Sequence, residues 1–160
     1  MKTQKTIVEK LLDKNKIPHN SYEYENNGFM DGVTVAKIIN KPVSQVFKTL
    51  VCKGTDGNCV FVLPVAQELD LKKAAKVSAQ KSVEMINVKD ILPTTGYIKG
   101  GCSPIAMKKL FPTYIDESAK DFEMIIFSAG KIGKQVEVPL DELIKLTKAK
   151  LASISKEEKC

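Results

Sequence analysis

The sequence predicts a single α+β domain built on a mixed, curved β-sheet with helices against it. Three observations lead there. At 160 residues, with 43% hydrophobic and 28% charged residues, the chain suits one globular domain with a sizeable core. Strand-like and helix-like stretches follow one another irregularly, without the regular alternation of a parallel α/β sheet. Two apolar runs are joined through Gly54-Thr55-Asp56-Gly57, a tight hairpin signal, so part of the sheet is antiparallel. We place one domain over 1–160, its core at about 6–147 and a charged, frayed tail at 148–160.

In chain order, residues 4–15 set Ile7, Val8, Leu11 and Leu12 on one helical face, and Ile17-Pro18 ends that helix. Ser21 to Glu25 reads as a short strand carrying Tyr22 and Tyr24, and Asn26-Asn27-Gly28 as a turn. A second helix covers about Val33 to Ile39, before Pro42. Val46–Lys53 and Asn58–Leu63 are the hairpin strands. Asp70 opens a short helix to Lys76, Val83–Ile86 is strand-like, and Val88–Leu92 is a helix stopped by Pro93. A strand-like run Gly96–Lys99, a glycine turn and a helix-like run Ala106–Leu110 follow. Thr113–Ile115, Glu123–Phe127 and Gln135–Val138 are further strands, the last two joined through Ser128–Gly133, and a helix spans about Leu140 to Lys148.

The net charge of +6 and pI near 9.0 favour an anionic partner. All 25 basic residues are lysine, which offers a mobile point charge and suits phosphate tracking better than base reading. No run of the sequence has the length of a membrane span, and the N-terminus lacks the apolar core of a signal peptide, so we expect a cytoplasmic protein. The cysteines, Cys52, Cys59, Cys102 and Cys160, lack metal-site spacing, and His19 is the one histidine. We therefore expect no metal and no cofactor, and no Cys–His or Ser–His pair unless His19 serves.

Two places could carry chemistry. In Gly100-Gly101-Cys102-Ser103-Pro104-Ile105 the glycines permit close approach of another molecule to the backbone. Ser103 suits a helix N-cap and Pro104 the first helical position, so free N–H groups would face an oxygen ligand; an ordinary strand-to-helix cap explains the same residues. The second place is Lys48, inside the apolar run Val46–Cys52 and sharing a face with Val46, Leu50 and Cys52. Such a lysine either guards a sheet edge or points into a cleft, where it acts as a base or holds a phosphate. Tyr24 and Phe29 offer aromatic surface for stacking a base or for core packing. Ser128-Ala129-Gly130-Lys131 suits either a backbone cradle or a plain turn.

Taken in order, Phe47-Lys48-Thr49-Leu50, Leu71-Lys72-Lys73-Ala74-Ala75, Thr95-Gly96-Tyr97, Gly100–Ile105 and Ser128–Lys131 resemble the YbaK family. These are free-standing relatives of the editing domain of bacterial prolyl-tRNA synthetases, and the similarity runs from about Thr6 to Leu146. The resemblance implies a sheet partly closed like a barrel and an aminoacyl-tRNA deacylase that removes cysteine from tRNA(Pro), with tRNA(Cys) a further substrate. Alanine-specific editing or a non-catalytic tRNA-binding module are the alternatives. Its implied partners are the aminoacylated tRNA and prolyl-tRNA synthetase, with no membrane. Its implied catalytic residues are Lys48 and Gly101, and its implied substrate-binding residues are Tyr24, Phe29, Thr49, Gly100, Cys102, Ser103, Pro104, Ser128 and Gly130. In the mechanism it implies, the substrate's own thiol attacks the ester, so Cys102 lines the pocket. Two departures from the family pattern are Ala106, where many members carry glycine, and Ile132 in place of an arginine.

Overall fold

The computed structural model describes residues 4–25 and 31–156. Among them the order is α1 (Ile7–Lys14), β1 (Asn20–Glu23), α2 (Gly32–Ile38), β2 (Phe47–Gly54), β3 (Gly57–Pro64), α3 (Leu71–Val77), β4 (Val83–Met85), α4 (Val88–Thr95), β5 (Thr113–Asp116), β6 (Met124–Ser128), β7 (Lys134–Pro139), α5 (Leu140–Thr147) and β8 (Lys150–Ala152). The strands form a three-stranded sheet, β1-β7-β6, and a five-stranded sheet, β4-β2-β3-β5-β8. Antiparallel pairs dominate, while β3–β5 and β5–β8 are parallel, which makes the fold the mixed α+β arrangement that the sequence predicts. The two sheets meet at one isolated parallel bridge, Val46↔Ile126, short of barrel closure.

The predicted hairpin is present, with Gly54 opposite Gly57 and Cys52 opposite Cys59. Both faces of β2 and β3 are covered, which is why these strands read as near-continuous apolar runs. On one face Phe47, Val51, Val60 and Val62 join Val8 and Leu12 of α1, Ile125 and Phe127 of β6, and Leu143 of α5. On the other, Cys52, Cys59, Phe61 and Leu63 pack under Ala74 and Ala75 of α3. A small third cluster joins Ala36 of α2 to the bridge residues Val46 and Ile126.

Helix α1 starts at Ile7, behind a capping box in which Thr6 and Glu9 satisfy each other's backbone N–H groups. Glu9 also reaches across to β7: its carboxylate lies 2.6 Å from Lys134 Nζ, and both side chains are at most 5% exposed. Glu23 of β1 completes the site at 3.2 Å. Burial opposes ionisation of Glu9, but hydrogen bonds from Lys134, Thr6 and Ser21 win and lower its pKa to about 2.

Four expectations are corrected. Pro93 does not stop α4, which runs on to Thr95 and ends at Gly96 with φ +89°. Thr95 Oγ1 bonds Ile91 O at 2.8 Å, and the missing proline N–H costs the helix a single hydrogen bond near its end. Gly96–Lys99 is irregular chain leading into a turn at Lys99-Gly100 rather than a strand. No helix follows the glycine turn: Ser103 Oγ takes the Ile105 N–H at 3.4 Å, as a cap would, but Ala106 turns left-handed at φ +62° and breaks the path. The segment read as a frayed tail supplies β8, after which Ile154 is fully buried and the Asp116 carboxylate accepts the N–H groups of Ile154 and Ser155 at 3.1 and 3.2 Å.

Removing the cation from the buried pair strands a carboxylate. Lys134→Met is expected to lower the unfolding free energy at pH 7 by roughly 3 kcal/mol in urea denaturation. Because Glu9 is depressed in the fold, its contribution is present above about pH 4.5 and lost as pH falls toward 2. The gap between variant and wild type therefore narrows across that window.

Candidate functional site

Strand β2 organises the site. Its outer edge is paired with β4 only from Cys52 to Gly54, and the one β-bridge toward β6 is at Val46, just before the strand, with Ile126. Between those contacts, from Lys48 to Leu50, the edge faces a gap. The bond from Val65 N to Val46 O at 2.9 Å, and that from Ile86 N to Val51 O at 3.2 Å, set the phase of the ladder. By that phase Thr49 directs its N–H and C=O away from β3, across the gap. A cavity of about 530 Å³ fills this space.

Lys48 and Ser128 each stand two residues beyond a bridge partner, so they share the faces of Val46 and Ile126 and flank the point where the sheets part. Both line the cavity, as do Tyr24, Thr49, Gly100 and Cys102. Lys48 is half-buried, with its Nζ 3.5 Å from Val65 O. Desolvation pulls its pKa below the ordinary lysine range, and the charge of Glu68 offsets part of that. Thr49 Oγ1 is buried and has no hydrogen-bond partner. Ser128 Oγ accepts the Gly130 N–H at 3.1 Å, which leaves its own proton available to donate. Tyr24 is fixed through its backbone to Gly133 O, and its hydroxyl accepts from Gln135 Nε2 at 3.3 Å. Burial pushes the Cys102 thiol up to about 11, against the hydrogen bond of Thr95, so it is protonated at neutral pH.

Other predicted residues lie elsewhere. Gly101, Ser103, Pro104 and Gly130 are not among the cavity-lining residues. Gly101 gives its N–H to Ile98 O at 3.0 Å, and a Cβ there would lie 3.1 Å from Lys131 Cα and 3.2 Å from Ile132 N. Its lack of a side chain lets the 98–105 loop close onto the 128–133 turn, backbone against backbone. Gly130, at φ +98°, serves the same closure, since a Cβ would meet Tyr97 Cε1 at 3.0 Å. Ser103 is fully buried, and Pro104 lines a separate hollow of about 160 Å³ with Leu11 and Phe111. Phe29 lies outside the described residues. His19 faces Ile17 O and Asp13, away from the cavity. Among the described residues, no group of three His, Cys, Asp or Glu is placed to hold a metal ion.

Sequence reading missed Asp31, Gln135 and the apolar wall of Met85, Ile86, Val88 and Ile91. Asp31 reads as a helix cap, and Gln135 becomes a wall residue only through its pairing opposite Ser128. Met85 and Val88 are about half exposed despite being large and apolar, a mark that only the folded chain shows.

This arrangement, a lysine and polar side chains in the cleft between two sheets, accompanies a match of residues 29–146 to the family described as the aminoacyl-tRNA editing domain. The chain belongs to that family. A protein of Enterococcus faecalis (strain ATCC 700802 / V583), EbsC, named as a candidate Cys-tRNA(Pro)/Cys-tRNA(Cys) deacylase, is 44% identical over 97% of this chain and 96% of its own. A proline–tRNA ligase of Thermosipho africanus (strain TCF52B) is 30% identical over 76 residues, which are 48% of this chain and 14% of the ligase. A crystal structure described as a candidate trans-editing enzyme for prolyl tRNA synthetase shares the fold, with a TM-score of 0.81 at 21% identity, covering 94% of this chain and 95% of that one. No helix among the described residues is long and apolar enough to cross a membrane.

The editing domain's two loops meet through Gly101, so Gly101→Ala must push them apart. That variant is expected to lose about 1–3 kcal/mol of stability in thermal or urea unfolding. Amide chemical-shift changes should reach Lys131 and Ile132, while the β2–β3 hairpin keeps its wild-type shifts.

Proposed function

We propose that this editing domain removes cysteine from mischarged tRNA, Cys-tRNA(Pro) first and Cys-tRNA(Cys) second, acting in trans to prolyl-tRNA synthetase. The observation that carries the reading is a cavity of substrate size with no activated nucleophile among its described lining residues. Its one thiol, Cys102, is held protonated, and the only histidine is elsewhere. The kinship with EbsC supports the substrate class.

The missing nucleophile comes from the substrate. The cysteinyl sulfur attacks its own ester carbonyl, a C–S bond forms as the C–O bond breaks, and the thiol proton passes to the departing ribose hydroxyl. The product is a cyclic thiolactone and free tRNA. The domain supplies positioning, holding thiol and carbonyl in an attack geometry that the flexible ester rarely adopts. Lys48 stays protonated and anchors a phosphate or ribose oxygen of the terminal adenosine, while Ser128 Oγ–H and the outward-facing backbone N–H of Thr49 donate to substrate oxygens. Gly101, with its N–H already bonded, contributes through the shape of its loop.

Incubation with Cys-tRNA(Pro), Cys-tRNA(Cys) and Ala-tRNA(Pro) tests the reading. Cysteine esters should be consumed and the alanine ester spared, since alanine has no thiol to cyclise. Lys48→Ala should slow the reaction by about 100-fold with circular dichroism unchanged. Survival of Cys-tRNA(Pro) at the enzyme-free rate sinks the proposal.

A further inference from the structure

The charge pattern of the cavity contains a residue that the mechanism above leaves unused. Among the described lining residues there are two cations, Lys48 and Lys99, and one anion, Asp31. An aminoacyl ester carries a positive α-ammonium close to its carbonyl. A cavity lined by lysines alone would repel that group, and with Lys48 half-buried and Lys99 exposed the repulsion is that of a partly hydrated cleft. A carboxylate on the same wall removes the conflict.

Asp31 is well placed and well fixed. It caps α2, its Oδ1 taking the Thr34 N–H at 2.8 Å while the Thr34 side chain also bonds the carboxylate, and the exposed carboxylate, with about four acceptor sites, keeps room for a further donor. The hydrogen bonds from Thr34 hold its pKa below the usual carboxylate range, which keeps it ionised. The next residue, Gly32, abuts Val65 so tightly that a Cβ on it would lie 2.3 Å from Val65 Cγ1. Val65 is also the residue whose carbonyl faces Lys48 Nζ at 3.5 Å. Asp31 and the lysine are therefore tied to one point of the scaffold, on opposite sides of it in charge. A capping aspartate away from a cavity would have no such companion.

We propose that Asp31 binds the α-ammonium of the aminoacyl group and selects esters that carry a free amino group. This rests on the deacylase reading and adds an anchor to it: Lys48 holds the nucleotide end of the substrate and Asp31 the amino end. The thiol and carbonyl then lie on the segment stretched between two charged contacts. Acylation of the amino group, as in a formylated or peptidyl ester, would remove the charge and add bulk at Asp31, so growing peptidyl-tRNA would be refused.

The test compares Cys-tRNA(Pro) with 3-mercaptopropionyl-tRNA(Pro), which keeps the thiol and lacks the amino group. The two esters differ in intrinsic reactivity, so the quantity to read is how their kcat/KM ratio changes between wild type and Asp31→Asn. Asparagine caps helices as well as aspartate, so the fold and melting temperature should be retained. The ratio is expected to fall about tenfold in Asp31→Asn, through loss of activity on the cysteinyl ester alone, and Asp31→Glu should restore part of it. An unchanged ratio, whether both activities fall together or neither moves, overturns the role of Asp31 while leaving the deacylase reading intact. If wild type cleaves neither ester, the deacylase reading fails and this inference with it.

Discussion

The site depends on one narrow contact, the bridge between Val46 and Ile126. It joins the three-stranded sheet to the five-stranded one, and both sheets part immediately beyond it. A continuous β2–β6 ladder would satisfy the backbone of β2 along its length and leave no cavity. The core shared by Phe47 and Val51 of β2 with Ile125 and Phe127 of β6 holds the sheets together, and the bridge sets where their edges part. The small cluster of Ala36 with Val46 and Ile126 buries this joint, so α2 both seals the bridge and brings Asp31 to the wall.

Around that joint the protein assigns rigidity and chemistry to different residues. The loops that shape the far wall are locked by glycines and by fully internal hydrogen bonds, such as Tyr97 OH to Ile105 O at 2.5 Å. Groups with spare hydrogen-bonding capacity, the Ser128 proton, the Lys48 ammonium and the outward-facing backbone of Thr49, cluster at the parting of the sheets. Such unsatisfied polar groups reduce stability and are tolerated where a ligand completes them. Here they face a cavity of about 530 Å³.

Much of this was legible in the sequence, and the failures have physical causes. The hairpin was readable because turn chemistry and apolar runs are local. Lys48 stood out because a charge in a doubly covered strand conflicts with its surroundings. At the glycine turn the local pattern misleads: the sequence pattern of a capped helix is present at Ser103-Pro104, and a left-handed Ala106 overrides it. Strand β8 was invisible because its support is non-local, coming from parallel pairing to β5 and from Asp116 thirty-eight residues upstream of Ile154. Gln135 and Asp31 could not be placed at the cavity because register and helix docking put them there, and neither leaves a local mark.

The central claim is that substrate binds where the sheets part, and a non-reactive cysteinyl-adenosine, its ester replaced by an amide, tests it directly. Titration into isotope-labelled protein, followed by amide chemical shifts, should perturb Lys48, Thr49, Gly100 and Ser128 and leave the hollow at Pro104 and Phe111 unchanged. Perturbation confined to that hollow, or none at saturating ligand, would contradict the account.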